Sequence, residues 1–219
     1  MFMLAGWIAV DFAFNAYGAI EGYSEAELRG AWLKYQQGWG GFYYIGSAPL
    51  GIAVLSTAIH MAGRGFDEYL ALKWPAPREA VRAFGIFAIV LAGEALVAYF
   101  AGAESCLPTS GLVVGGPSGL MIMLIGSCIA APVFEEFIVR GFMFRGWSES
   151  FLGPVGAIVL TSAVWAVNHT QYGWFGRLEI FGMGLALGYS RWRSASTWLT
   201  VMIHSSLNAA VFFMKGPYV

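Results

Sequence analysis

Long apolar runs separated by short polar stretches dominate this chain. Runs close to the ~20 residues needed to cross a bilayer's hydrocarbon core occur at 2–20, 41–62, 83–103, 117–139, 153–169, 177–192 and 197–214. Backbone polar groups in lipid must be satisfied within the chain, so this pattern predicts an all-α fold, a polytopic transmembrane bundle of about seven helices. Polar connectors fall at 21–38, 64–82 and 104–116, and the Pro and Gly content of the last marks a loop. No internal repeat is visible, so one compact domain spanning 1–219 is expected. The opening MFMLAGWIAVDFAF has no basic stretch and carries Asp11, which suits a first membrane helix better than a cleaved signal peptide.

Composition agrees with a membrane protein: 58% of residues are hydrophobic and 11% charged, against roughly a quarter charged in a soluble domain. A net charge of -1 argues against nucleic acid as a partner. Cys106 and Cys128 lie at the start of one segment and well inside another, so no disulfide is expected. Seven alternating helices put connectors 64–82, 140–152 and 190–196 on one side with the N-terminus. That side holds Arg64, Lys73, Arg78, Arg82, Arg140, Arg145, Arg191 and Arg193, against Arg29, Lys34, Arg177 and Lys215 opposite. The excess predicts that it is cytoplasmic.

Polar residues inside the apolar segments carry the chemistry, because an ionisable group in hydrocarbon is costly and marks a functional site unless it is merely paired. Glu135 and Glu136 stand in APVFEEFIVRG, His169 ends WAVNH, and His204 and Asn208 bracket HSSLN. At helical spacing Glu136 and Arg140 are an i, i+4 pair in the favourable acid-first order, so Arg140 is expected to neutralise Glu136. Glu135 is turned away from that pair and is expected to be unpaired. Pro132 should free the carbonyl of Cys128 and open space beside it. Trp165 and His169 are also one turn apart, with the aromatic ring stacked before the imidazole, and His204 and Asn208 repeat the spacing. Counting outward from the Gly153-Pro154 break brings Glu135 and His169 level on antiparallel helices, with His204 within a turn or two. A carboxylate and an imidazole can together activate a water, while a second imidazole and an amide can donate hydrogen bonds to the oxyanion formed at an amide carbonyl. The expected reaction is peptide hydrolysis with no covalent intermediate and no cofactor.

EEFIVR at 135–140, WAVNH at 165–169 and HSSLN at 204–208 reproduce in order the pattern EExxxR, aromatic-xxxH, HxxxN. Over roughly 118–213 the chain therefore resembles the CAAX protease and bacteriocin-processing (CPBP, Abi) family of glutamate-type intramembrane proteases, which includes the type II CAAX prenyl endopeptidases. The Gly-rich stretch before His204 is similar as well; Trp165 stands where Phe is the more frequent residue. The resemblance implies a catalytic core at 118–213 preceded by variable helices at 1–117, and a conical polar cavity open to the cytosol. It implies that Glu135 and His169 activate water, that His204 and Asn208 form the oxyanion hole, and that Glu136, Arg140 and Trp165 support them. It also implies a protein or peptide substrate at the membrane, lipidated or carrying a C-terminal sorting tail, and residence in a bacterial cytoplasmic membrane.

Two other function classes fit parts of the pattern. Glu135, His169 and His204 could be the ligands of a zinc protease with one open position, although the chain has no HExxH and Asn208 suits an oxyanion hole better than a fourth ligand. The buried charges could instead serve a bacteriocin-immunity or transport protein, for which a repeat would be the commoner sign. Cys128 is expected to pack rather than react. Asp11, His60 and Glu94 are expected to be structural or to line the cavity.

Overall fold

The structure, a computed structural model, describes residues 40–102 and 116–215 without a break and scattered positions between 12 and 27. The expected first helix at 2–20, with Asp11, lies largely outside the described residues, as do Cys106 and the 104–115 part of the loop. Among the described residues there are seven helices and no strand: α1 (Gly40–Met61), α2 (Phe66–Leu70), α3 (Pro77–Ala101), α4 (residues 116–148), α5 (Gly153–Asn168), α6 (Trp174–Ser194) and α7 (Thr197–Lys215). Three helices are long and apolar enough to cross a membrane, over Tyr44–Met61, Pro77–Ala101 and Gly119–Ser148, and the helices over Gly153–Asn168 and Thr197–Phe213 are apolar but shorter.

Several boundaries differ from those expected, each for a local reason. Pro77 supplies the first turn of α3, where its missing N–H costs nothing, so the helix starts six residues before the apolar run. Five residues of the polar 64–82 connector form α2. The expected connector 140–152 is mostly helix, because α4 runs on to Ser148. Connector 190–196 shrinks in the same way: α6 continues to Ser194, and Arg191 is buried in the fold instead of lying in a loop.

α4 reaches its length by changing register twice. It runs as α-helix over Gly116–Ile125, π-helix over Gly126–Ala130, α-helix over Ala131–Glu136, π-helix over Phe137–Met143, and α-helix again over Phe144–Ser148. Each π turn leaves a carbonyl to an outside donor, as buried backbone groups require. In the first, the Ala131 N–H reaches Gly126 O, five residues back. The next residue in that register is Pro132, which has no N–H to give Ser127 O, and Asn208 Nδ2 of α7 donates to that carbonyl at 2.8 Å. The carbonyl that Pro132 leaves free is thus Ser127's, not Cys128's, because π spacing replaces α spacing there. In the second, Phe144 N–H reaches Val139 O, and Arg191 Nε donates to the Arg140 carbonyl at 3.0 Å.

By its internal contacts the chain divides into two units. The first takes the described parts of 1–57, 109–134 and 205–219. Here α1 and α4 approach so closely at Gly41 and Gly126 that a Cβ on Gly126 would lie 2.5 Å from Gly41 Cα, the small-residue contact that lets membrane helices pack without a hydrophobic drive.

The second unit takes 58–108 and 135–204. Gly184 and Gly188 of α6 lie against Ser162 and Ile158 of α5, where added Cβ atoms would stand 2.9 and 3.1 Å from their nearest atoms. One end of this unit ties its connectors together. Thr197 donates its backbone N–H to Ala71 O at 3.1 Å and its Oγ1 to Leu70 O at 2.5 Å, while Ser196 Oγ donates to Lys73 O at 2.5 Å. Arg145 Nη2 lies 3.3 Å from Glu68 Oε1 and Arg64 Nη2 lies 3.6 Å from Glu149 Oε1. Connectors 64–82, 140–152 and 190–196 therefore do share one end, as alternation predicts. Of the eight basic residues assigned to it, Arg140 and Arg191 are internal.

Candidate active site

α4, α5 and α7 deliver Glu135, Arg140, His169 and His204, all of the second unit, to a single aromatic side chain. Glu136 and Arg140 of α4 are fully buried, and Arg140 Nη1 donates to Glu136 Oε1 at 3.0 Å, the pair that their spacing predicts. Arg140 Nη2 reaches Gly184 O at 3.5 Å. A buried guanidinium and carboxylate survive in such a setting only when paired and further hydrogen-bonded. The same Glu136 Oε1 lies 3.0 Å from His204 Nδ1.

Glu135 is not unpaired. It is half-buried, and its Oε2 accepts a hydrogen bond from Trp165 Nε1 at 2.7 Å. The contact that the structure shows from α5 to Glu135 thus comes from the indole of Trp165, thirty residues further along the chain. Trp165 is buried, and Arg140 Cζ sits 4.4 Å from the centre of its ring, within cation–π range. The rings of His169 and His204 meet the indole edge-on, at centroid separations of 5.0 and 5.4 Å. The expected stack of Trp165 on His169 is thus an edge contact at 79°. One indole touches Glu135, Arg140, His169 and His204.

Hydrogen bonding assigns the imidazole atoms. His169 lies just past the last residue of α5, and its Nδ1 is 2.7 Å from Trp165 O. A carbonyl only accepts, so Nδ1 carries the proton and the neutral ring offers a lone pair at Nε2. Tyr172 stacks on this imidazole with ring centroids 6.1 Å apart. For His204 the carboxylate of Glu136 likewise requires the proton at Nδ1. Nε2 of that ring then donates only when the imidazole is doubly protonated, a condition the HSSLN spacing does not reveal.

Asn208 belongs to the first unit and commits one of its two amide hydrogens to Ser127 O. Cys128 is buried there as a free thiol, 3.7 Å from Ser127 Oγ. His60 is exposed in the last turn of α1. Glu94 of α3 turns inward to Gly182 of α6, whose lack of a side chain leaves room for its Oε1. Among the described residues no three His, Cys, Asp or Glu side chains gather as a metal-binding group. The Trp165 bond to Glu135 is the site contact that spacing does not announce; its signal is the exchange of Phe for a ring with a donor.

Searches of curated proteins and of solved structures each return no match. A scan against protein families matches residues 117–210 to the description type II CAAX prenyl endopeptidase Rce1-like. That stretch contains Glu135, Glu136, Arg140, Trp165, His169, His204 and Asn208. Over residues 117–210 the chain is therefore similar to the type II CAAX prenyl endopeptidase Rce1-like family, and its three helices long and apolar enough to span a bilayer fit a protein of the membrane.

Proposed function

We propose that this protein is a glutamate-type intramembrane endopeptidase that cuts near the C-terminus or membrane anchor of a lipidated or tail-bearing protein. The observation that carries this reading is the gathering of Glu135, His169 and His204 around the indole of Trp165 inside the matched stretch. The free oxygen of Glu135 takes a proton from water as the hydroxyl adds to the scissile carbonyl carbon. His169 orients that water through the lone pair of Nε2. The oxyanion is met by Nε2–H of His204, doubly protonated against Glu136, and by the remaining amide hydrogen of Asn208, whose part rests on its place one turn after His204 in HSSLN. Collapse of the tetrahedral intermediate breaks the C–N bond, and the proton held by Glu135 passes to the leaving amine.

The basic end that carries Arg64, Lys73, Arg78, Arg82, Arg145 and Arg193 is assigned to the cytosol, in a bacterial cytoplasmic membrane. Water is the only co-reactant. The experiment is to reconstitute the full chain in lipid nanodiscs with a fluorogenic peptide ending in a farnesylated CAAX sequence, its unprenylated twin, and a peptide with an apolar sorting tail. Cleavage of at least one, lost in Glu135→Gln, supports the proposal, and the rates rank the substrate classes. Cleavage that persists in Glu135→Gln contradicts it.

A further inference from the structure

We propose that Trp165 is a positioning residue for the reaction, acting through the N–H of its indole and not only through the bulk of its ring. This rests on the assignment of Glu135 as the proton acceptor. Its Oε2 accepts the Trp165 N–H at 2.7 Å, so Oε1 is the atom left to meet water. A carboxylate on a flexible side chain of a partly exposed residue otherwise samples several rotamers, and fixing one oxygen aims the other.

The indole is itself fixed on several sides. Arg140 covers one face at 4.4 Å, His169 and His204 abut it edge-on, and the Trp165 carbonyl holds His169 Nδ1 at 2.7 Å. A cation over the ring withdraws electron density and makes the N–H a better donor, so the Glu136–Arg140 pair is felt at Glu135 through the indole. One residue thereby sets the orientation of Glu135 with its side-chain nitrogen and of His169 with its backbone oxygen. Phe at this position provides the same apolar ring contacts and no hydrogen bond, so a chain with Phe would have to orient its glutamate by other means.

The test separates the N–H from the ring. Trp165 is replaced in the full chain by β-(3-benzothienyl)alanine, in which sulfur takes the place of N–H at nearly constant shape, and separately by Phe. Each change is also made in the Glu135→Gln background. The readouts are kcat, KM and thermal unfolding in nanodiscs on the farnesylated fluorogenic peptide. The benzothienyl variant is expected to lose roughly 10- to 100-fold in kcat, as small misplacements of a reacting group do, with KM within about twofold and an unfolding temperature indistinguishable from that of the unmodified chain. It should cost nothing further in the Glu135→Gln background. Retention of kcat within twofold in the benzothienyl variant, while Glu135→Gln is dead, overturns the positioning role and leaves the base assignment standing. Loss of stability together with kcat overturns it in favour of a structural role. Normal turnover by Glu135→Gln overturns both.

Discussion

Glu136 Oε1 lies 3.0 Å from His204 Nδ1 and equally far from Arg140 Nη1, so a single carboxylate oxygen on α4 joins the arginine of its own helix to the histidine of α7. The second glutamate of the EE pair is therefore more than a counter-ion. It fixes which imidazole nitrogen of His204 faces away, and it is the anion beside that ring when the ring is protonated.

Glu136→Gln should leave Arg140 buried without a compensating charge. Breaking a buried pair on one side costs about 3–5 kcal/mol, so unfolding in detergent should move to clearly lower temperature and activity should fall with it. The double variant Glu136→Gln/Arg140→Met removes the stranded charge and should recover most of the stability but none of the activity. Thermal unfolding of the three proteins side by side checks the sign.

Gly184 sits where α6 meets α5, and a Cβ there would stand 2.9 Å from Ser162 Cβ. The Gly184 carbonyl also accepts from Arg140 at 3.5 Å. Gly184→Val should push the helices apart, costing about 1–3 kcal/mol as overpacking does, and should lower activity more than Gly188→Ala, whose nearest neighbour is an Ile158 methyl at 3.1 Å. Unfolding temperature and cleavage rate measured together rank the two.

Pro132 and Asn208 are coupled through one carbonyl. Asn208→Ala should reduce kcat by roughly 10²–10³-fold, as loss of one oxyanion donor does, with little change in KM. Pro132→Ala restores an N–H in register with Ser127 O, so the amide of Asn208 gains a competitor. Helix stability should hold or rise while kcat falls by a smaller factor than in Asn208→Ala. Steady-state kinetics on one peptide distinguishes this from a simple packing defect, which would lower both.

If Glu135, His169 and His204 handle water and protons directly, cleavage should survive EDTA and extensive dialysis unchanged. Zinc at one equivalent per chain, whose removal stops cleavage and whose return restores it, would transfer those three residues to the role of ligands.

The helical class, the three long apolar helices and the two shorter apolar ones among the described residues were legible because lipid leaves the backbone no other solution and because length and hydropathy suffice to find them. The Glu136–Arg140 pair was legible because it is local. Helix ends were not: nothing in the composition of 137–148 announces that a π turn carries α4 past Arg140 to Ser148, since π and α turns differ by one hydrogen-bond step and not by residue type. The same shift moved the carbonyl freed by Pro132 from Cys128 to Ser127. Trp165 shows the other limit. Its spacing to His169 put it beside the site, but a hydrogen bond to a carboxylate thirty residues away depends on the rotation of two helices, and periodicity alone gives only the register to within a turn. Arg191 looked like a loop charge because arginine in a polar stretch usually is one; its burial follows from its neighbours Arg140 O and Thr197 Oγ1.

The most direct test is single-turnover cleavage of the farnesylated CAAX peptide by Glu135→Gln in nanodiscs. The glutamine oxygen can still accept the Trp165 N–H, so the fold and the indole contacts should persist and the unfolding temperature should match that of the unmodified chain. The account predicts that this folded protein binds the peptide and does not cut it. A folded Glu135→Gln that cuts at a rate near that of the unmodified chain would contradict it.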